Sequence, residues 1–172
     1  MTDQDNAIHA LHRYFVWANR LRQQFEDSVR AQGLPPTQEG KALREWFLVP
    51  FFHLSYWLAT LYVVVDGWRK LGLASESVDA LLDPTQLELL RRYRNGVYHF
   101  QADYFDSRFA NFLDSEDTVE WASALHDKLS KYFLDWLMSR GLIPSMPIDK
   151  DGRVDLGAVS FDLNGRAESD DV

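Results

Sequence analysis

Arg94 and His99, with four residues between them, are the two side chains in this sequence best suited to chemistry on a phosphate ester. Arginine stays charged and presents a planar fork of donors that matches phosphate oxygens. Histidine is the side chain whose ordinary pKa lets it accept and release protons near neutrality. A histidine that moves the proton of a 2′-hydroxyl, beside an arginine that stabilises charge on the attacked phosphate, can cleave RNA without a metal ion. The pair therefore marks a candidate site for phosphodiester chemistry.

A helix over residues 84–100 is predicted to carry both side chains. Asp83 is a good N-cap, a proline follows at the first helical position, and Gln86 can reach back to the cap as in a capping box. The Asn95-Gly96 dipeptide also fits a turn, and glycine weakens a helix. The pattern thus leaves open whether the helix continues as far as His99.

The predicted directions of the motif side chains favour a two-fold dimer. If the helix continues, Asn95 and His99 lie one turn apart on the same face, whereas Arg94 lies about 140° around the axis from His99. Two side chains that diverge this far are awkwardly placed to meet at one phosphate within one subunit. They can meet across a two-fold axis, where Arg94 of one copy approaches His99 of another. We therefore expect a homodimer with residues 94–99 near the axis.

The run Arg94-Asn95-Gly96-Val97-Tyr98-His99, followed by Phe100 and Gln101 on a helical background, resembles the R-N-x-x-x-H signature of the HEPN superfamily. Those proteins are small helical domains, and many are endoribonucleases of toxin–antitoxin, phage-defence or RNA-processing systems. The resemblance covers about six motif residues and the helical pattern over residues 5–141. It implies that Arg94, Asn95 and His99 line a cleft between two subunits.

The resemblance implies a metal-independent endoribonuclease as the leading function. His99 would then be the acid and base, Arg94 the phosphate clamp, and Asn95 the group that orients the phosphate or the histidine. Arg91 and Tyr98 are weaker candidates for contact with RNA. A cognate antitoxin is a further possible partner. The alternative is a non-catalytic helical module of the same fold that binds RNA, a nucleotide or a protein partner.

A purely structural interpretation of the same residues also stays open. The arginines of this helix can form a solvated face paired with Glu88. A histidine near a helix end can cap the last carbonyls or interact with the helix dipole. Under this interpretation His99 and Arg94 serve the fold and not a reaction.

Hydrophobic periodicity predicts an all-α, bundle-like domain of four to five helices over residues 1–143. The first helix is predicted to run from Asp5 or Asn6 to Gln32, the second region from Lys41 to Leu71, and the last from Glu116 to Arg140. The uncharged run from Trp46 to Val65 is interpreted as a buried central helix and not as a membrane span, because it contains a proline, a histidine and several hydroxyls. Residues 144–172 are predicted to form an acidic extension, partly disordered or folded as a small hairpin.

Composition limits the range of functions. The 172 residues carry a net charge of −8, half of it in residues 149–172, which argues against a protein that coats nucleic acid through its general field. The arginines at 91, 92 and 94 form the densest basic stretch, so weak, local and salt-sensitive contact with RNA is expected. Cysteine is absent, and the acidic start lacks a signal-peptide pattern. These features predict a cytoplasmic protein without a membrane segment.

Other catalytic motifs are missing from the sequence. There is no Walker A loop, no G-x-G-x-x-G, no G-x-S-x-G and no H-E-x-x-H. His9 and His12 share a helix face but lack the Glu-x-x-His pairs of a di-metal bundle. His53, within an apolar helix, is expected to be a core histidine. No cofactor and no metal are therefore predicted.

Overall fold

The computed structural model of the protein describes residues 2–32, 48–103, 106–115 and 117–143. Within these ranges the chain forms no strand and six helices, namely α1 (Asp3–Gln32), α2 (Pro50–Lys70), α3 (Glu76–Asp79), α4 (Pro84–Tyr98), α5 (Ser107–Leu113) and α6 (Thr118–Ser139). The all-α prediction is confirmed. Four of the helices are long. The single turn of α3 is too short to show a hydrophobic period, and periodicity did not predict it. The predicted extension at 144–172 and the predicted helical residues 41–47 lie outside the described residues.

The chain divides into two compact units, residues 1–133 and 134–172, so that the boundary falls within α6. In the second unit, α6 ends at Ser139, one residue before the predicted end, and Gly141 follows the end of the helix. This glycine has a φ of 65°, and its N–H donates to the Met138 carbonyl at 3.0 Å. The next N–H, of Leu142, reaches back to the Leu137 carbonyl at 3.0 Å, which satisfies the last turn of the helix.

Helix α1 begins earlier than predicted because Thr2 and Asp5 cap it reciprocally. The N–H of Thr2 donates to Asp5 Oδ2 at 2.9 Å, and the N–H of Asp5 donates to Thr2 Oγ1 at 3.1 Å. These two bonds satisfy N–H groups that the first turn of a helix otherwise leaves without partners. The start consequently moves from Asp5 to Asp3.

Helix α2 is the buried central helix that its composition predicted. Pro50 occupies its first turn, so the proline starts a helix and does not kink one. Trp57, Leu58, Leu61 and Trp68 are almost completely buried. None of the helices in the described part of the chain is long and apolar enough to cross a bilayer.

A buried histidine joins three helices of the first unit. The indole N–H of Trp57 on α2 donates to Nδ1 of His126 on α6 at 3.2 Å, and Nε2 of the same ring lies 3.1 Å from Asn19 Oδ1 on α1. His126 must therefore carry its proton on Nε2 to satisfy both partners. Burial, with the nearby positive charge of Arg22, lowers the pKa of His126 to about 4. The ring is neutral in the native protein near pH 7.

Tyr93 fixes α4 against its neighbours. Its hydroxyl lies 3.0 Å from Ser55 Oγ on α2, and burial raises its pKa. Its ring meets those of Phe109 and Phe112 on α5 at centroid distances of 5.4 and 5.2 Å. Because Tyr93 directly precedes the motif arginine, this packing positions the last turn of α4.

Candidate functional site

The start of α4 is determined locally, as the sequence predicted. Oδ1 of Asp83 accepts from the N–H groups of Thr85 and Gln86, both at 2.9 Å. The predicted return bond from Gln86 does not form, since its Oε1 is buried without a partner among the described residues. A side-chain cap of this kind stabilises a helix by roughly 1 kcal/mol.

Helix α4 continues through Asn95 and Gly96 and does not turn there. Gly96 is buried, and a Cβ added to it would lie 3.1 Å from Phe109 Cζ and 3.3 Å from Arg108 Cβ. The missing side chain therefore lets α5 approach the last turn of α4 closely. This glycine reflects helix packing and not a hairpin-type turn.

His99 lies immediately after the end of α4 and is not helical. It is the C-cap of α4 with φ −119° and ψ 133°, an extended conformation, and its N–H donates to the Asn95 carbonyl at 3.1 Å. A helix that continued to residue 100 would place Asn95 and His99 on one face. Because α4 ends at Tyr98, the two residues do not share a helix face. The His99 side chain is exposed, as expected of a group that must reach a substrate.

Two side chains hold the His99 backbone in this position. The amide nitrogen of Gln101 donates to the His99 carbonyl at 2.5 Å. The amide oxygen of Gln101 in turn accepts from Arg108, which forms an ion pair with Asp106 at 3.4 Å. This chain of contacts ties the segment after α4 to the start of α5.

Arg94 lies in the last turn of α4, partly buried. Its NH1 donates to Asn95 Oδ1 at 3.0 Å, and its guanidinium carbon lies 5.5 Å from the centroid of the Tyr98 ring. Its Nε is buried and has no acceptor in the described part of the chain. A buried donor without a partner costs about 1–3 kcal/mol.

Arg91 has a different environment. It donates to both carboxylate oxygens of Glu88, at 2.8 and 2.7 Å, and these bonds lower the pKa of Glu88. Arg91 also lines a cleft of about 220 Å³ together with Tyr62, Asp66 and Arg69, apart from His99. The pair of Arg91 and Glu88 is the one predicted by the interpretation in which the arginines of α4 form a solvated face.

His99 and Tyr98 line a pocket of about 630 Å³ at the C-terminal end of α4. Other walls come from α2 through Phe51, from α5 through Phe109 and Leu113, and from the segment between α4 and α5 through Phe100. Phe51 and Phe109 were not identified from the sequence, where both look like ordinary core residues. The volume lies within the range of small-molecule sites.

An exposed aromatic face adjoins the motif at Tyr98. The face consists of Phe52, Tyr56 and Tyr98, with ring centroids 4.7 Å apart for the first two and 6.1 Å for the last two. Phe52 and Tyr98 are each 48% exposed. Arg94 rests on Tyr98 at the edge of this face.

The structure thus brings Arg94, Asn95 and Tyr98 into direct contact and places His99 at the pocket beside them. Arg91 belongs to the separate cleft. Among the described residues no group of three or more histidine, aspartate or glutamate side chains is arranged to hold a metal ion.

Comparison of the chain with protein-family models, with curated proteins and with solved structures finds no match. The resemblance to the HEPN superfamily therefore stays a prediction that depends on the motif residues.

Proposed function

We propose that the protein is a metal-independent endoribonuclease of the HEPN type. The observation that carries the proposal is the placement of the R-N-x-x-x-H residues. Arg94 and Asn95 form a bonded pair at the end of α4, and His99 stands exposed at the mouth of a pocket immediately after it. A proton carrier and a guanidinium that can both reach one phosphate are the minimum requirement for cleavage by the neighbouring 2′-hydroxyl.

The proposed reaction is an internal transesterification. His99 accepts the proton of the 2′-hydroxyl, and the 2′-oxygen attacks the adjacent phosphorus. The bond from phosphorus to the 5′-oxygen breaks, and the leaving oxygen takes a proton from an imidazolium or from water. Arg94 stabilises the charge on the phosphate oxygens during the attack, and its bond to Asn95 keeps the guanidinium near the end of the helix.

The experiment that tests the proposal is cleavage of a labelled single-stranded RNA in excess EDTA. We expect cleavage to survive EDTA, because no step requires a metal ion, and to leave a 2′,3′-cyclic phosphate on the 5′ fragment. Mass spectrometry of the fragments identifies this end. Wild-type protein that binds RNA but leaves it intact under all conditions would instead favour the non-catalytic helical module.

The proposed enzyme is a two-fold dimer. The aromatic face formed by Phe52, Tyr56 and Tyr98 supports this, because a contiguous set of exposed rings is unusual on a surface that stays in water. A second copy packed on this face would bring two copies of Arg94 and His99 to one axis. RNA and a cognate antitoxin remain the other proposed partners.

We expect light scattering to give the mass of a dimer at about 20 µM, a concentration at which a stable interface is saturated. Tyr56→Glu, which places a charge in the middle of the aromatic face, is expected to give a monomer. Tyr14→Glu, on α1 and away from this face, is the control. A wild-type monomer at this concentration would contradict the dimer.

A further inference from the structure

The pocket beside His99 combines aromatic walls with carboxylates at its edge. We propose that it is a nucleobase subsite, which holds an unpaired base carrying an exocyclic amino group next to the cleaved phosphate. This inference deepens the proposed ribonuclease function and rests on it, since it names the part of the substrate that the enzyme selects.

The aromatic walls are suited to stacking. Phe109 is held edge-on by Phe51, at 6.2 Å and 67°, and by Tyr93, at 5.4 Å and 88°, so its ring is fixed in the wall. Phe100 lies at the same pocket and is 94% exposed, so its ring is accessible to a ligand. Stacking of a base on an aromatic side chain contributes a large part of the affinity of proteins for single strands.

The size of the pocket favours one unstacked base over a duplex. Its volume of about 630 Å³ accommodates a single nucleotide unit with room for water. A base can enter such a pocket only when it is unpaired, so the substrate must be a single strand, a loop or a bulge. The position of His99 at the pocket then places the ribose of the bound nucleotide near the proton carrier.

The polar groups at the pocket favour particular bases. Asp103 and Asp114 line it, and an ionised carboxylate only accepts hydrogen bonds. The amide nitrogen of Gln101 donates to the His99 carbonyl, and its amide oxygen accepts from Arg108. Cytosine, adenine and guanine offer amino donors to a carboxylate, whereas uracil and thymine do not. The same carboxylates repel phosphate, so we expect the phosphate backbone of a bound strand to lie outside the pocket.

The subsite is tested with DNA, which lacks the attacking 2′-hydroxyl and is therefore not cleaved by the proposed reaction. Fluorescence anisotropy measures the binding of labelled single strands of twelve deoxycytidines or twelve thymidines at low salt. We expect the deoxycytidine strand to bind at least about fivefold more tightly, the discrimination typical of one amino–carboxylate contact. Equal binding of the two strands would overturn the inference.

Two sets of variants locate the binding. Ala110 lines the pocket, so Ala110→Leu fills it and is expected to weaken binding of the deoxycytidine strand about tenfold. Ala10→Leu, an exposed alanine of α1, adds the same volume outside the pocket and is the matched control. The double variant Asp103→Ala/Asp114→Ala should bind both strands more tightly, because it loses two negative charges, but should lose the preference between them.

The outcomes separate the subsite from the ribonuclease activity. If the protein cuts no RNA but prefers the deoxycytidine strand, and the double aspartate variant loses that preference, the subsite is supported and the proposed function is wrong. If the protein cuts RNA and Ala110→Leu changes neither strand binding nor cleavage, the proposed function is supported and the subsite is wrong. If Ala110→Leu dissolves a dimer and leaves strand binding intact, the pocket is a protein interface and the inference is wrong.

Discussion

His99→Ala is expected to lower the rate of RNA cleavage by about a hundredfold or more, the usual cost of losing a general acid or base. The side chain lies at the mouth of the pocket and is exposed, so its removal leaves no cavity in the core. The backbone bonds of residue 99, to the Asn95 carbonyl and from Gln101, do not require an imidazole. Circular dichroism and the melting temperature should therefore stay close to those of the wild type, within the small range of surface substitutions.

Arg94→Ala is expected to cause a loss of similar size, since it removes the proposed phosphate clamp. Arg94→Lys should not restore activity, because lysine lacks the planar fork that bonds Asn95 and that would hold the phosphate in the proposed reaction. Rates of cleavage of a single-stranded RNA under single-turnover conditions measure both effects without the contribution of product release.

Two variants outside the site control for general effects of charge and of histidine loss. Arg20→Ala and His9→Ala change exposed residues of α1 and should cut RNA at the wild-type rate. A fully active His99→Ala variant would remove His99 from the reaction. Unfolding of the His99 or Arg94 alanine variants would instead support the interpretation in which these side chains serve the helix end.

The second large effect is on stability and concerns His126. In the native state its pKa is about 4, whereas an unfolded histidine has a pKa near 6.5. At a pH between these two values, the unfolded chain binds a proton at His126, whereas the native ring stays neutral. The free energy of unfolding therefore falls as the pH is lowered from about 6.5 to about 4, and this group has no further effect below that range. The expected loss is about 3 kcal/mol.

Urea unfolding followed by circular dichroism at pH 7 and at pH 4.5 measures most of this loss. His126→Gln removes the titration but keeps an amide that can accept from Trp57, so its stability should depend less on pH than that of the wild type. The comparison with His126→Gln is needed because burial and the charge of His9 also lower the pKa of His12, which therefore contributes to the pH dependence of both proteins. As a second measurement, the NMR signal of the His126 ring in the folded wild type should not titrate above about pH 5. A ring that titrates near pH 6.5 would contradict the buried neutral state.

Much of the fold follows from residues that interact within one turn. The cap by Asp83 predicted the start of α4, and the structure confirms it. Pro50 lies in the first turn of α2, and Gly141 follows the end of α6. At the start of α1, where the predicted boundary was wrong, the missed interaction was also local and consists of the reciprocal bonds of Thr2 and Asp5. Helix boundaries depend on the few N–H and C=O groups that the helix itself cannot pair, so neighbouring side chains decide them.

The candidate site was only partly predictable. The residues Arg94, Asn95 and His99 are recognisable by type and spacing, and the pair formed by Arg91 and Glu88 follows from a separation of three residues along a helix. The conformation of His99 is different, because it depends on Gln101 and Arg108, which meet the helix end only after α5 packs against α4.

The sequence by itself determined the class of fold, the central position of α2 and the side chains that could act on a phosphate. These follow from periodicity, from capping and from the chemistry of single residues. Only the tertiary structure decided that Phe51 on α2 and Phe109 on α5 meet beside His99 to form a pocket. The reason is physical, since a pocket is defined by how separate helices pack, and the contacts that define it join residues far apart in the chain.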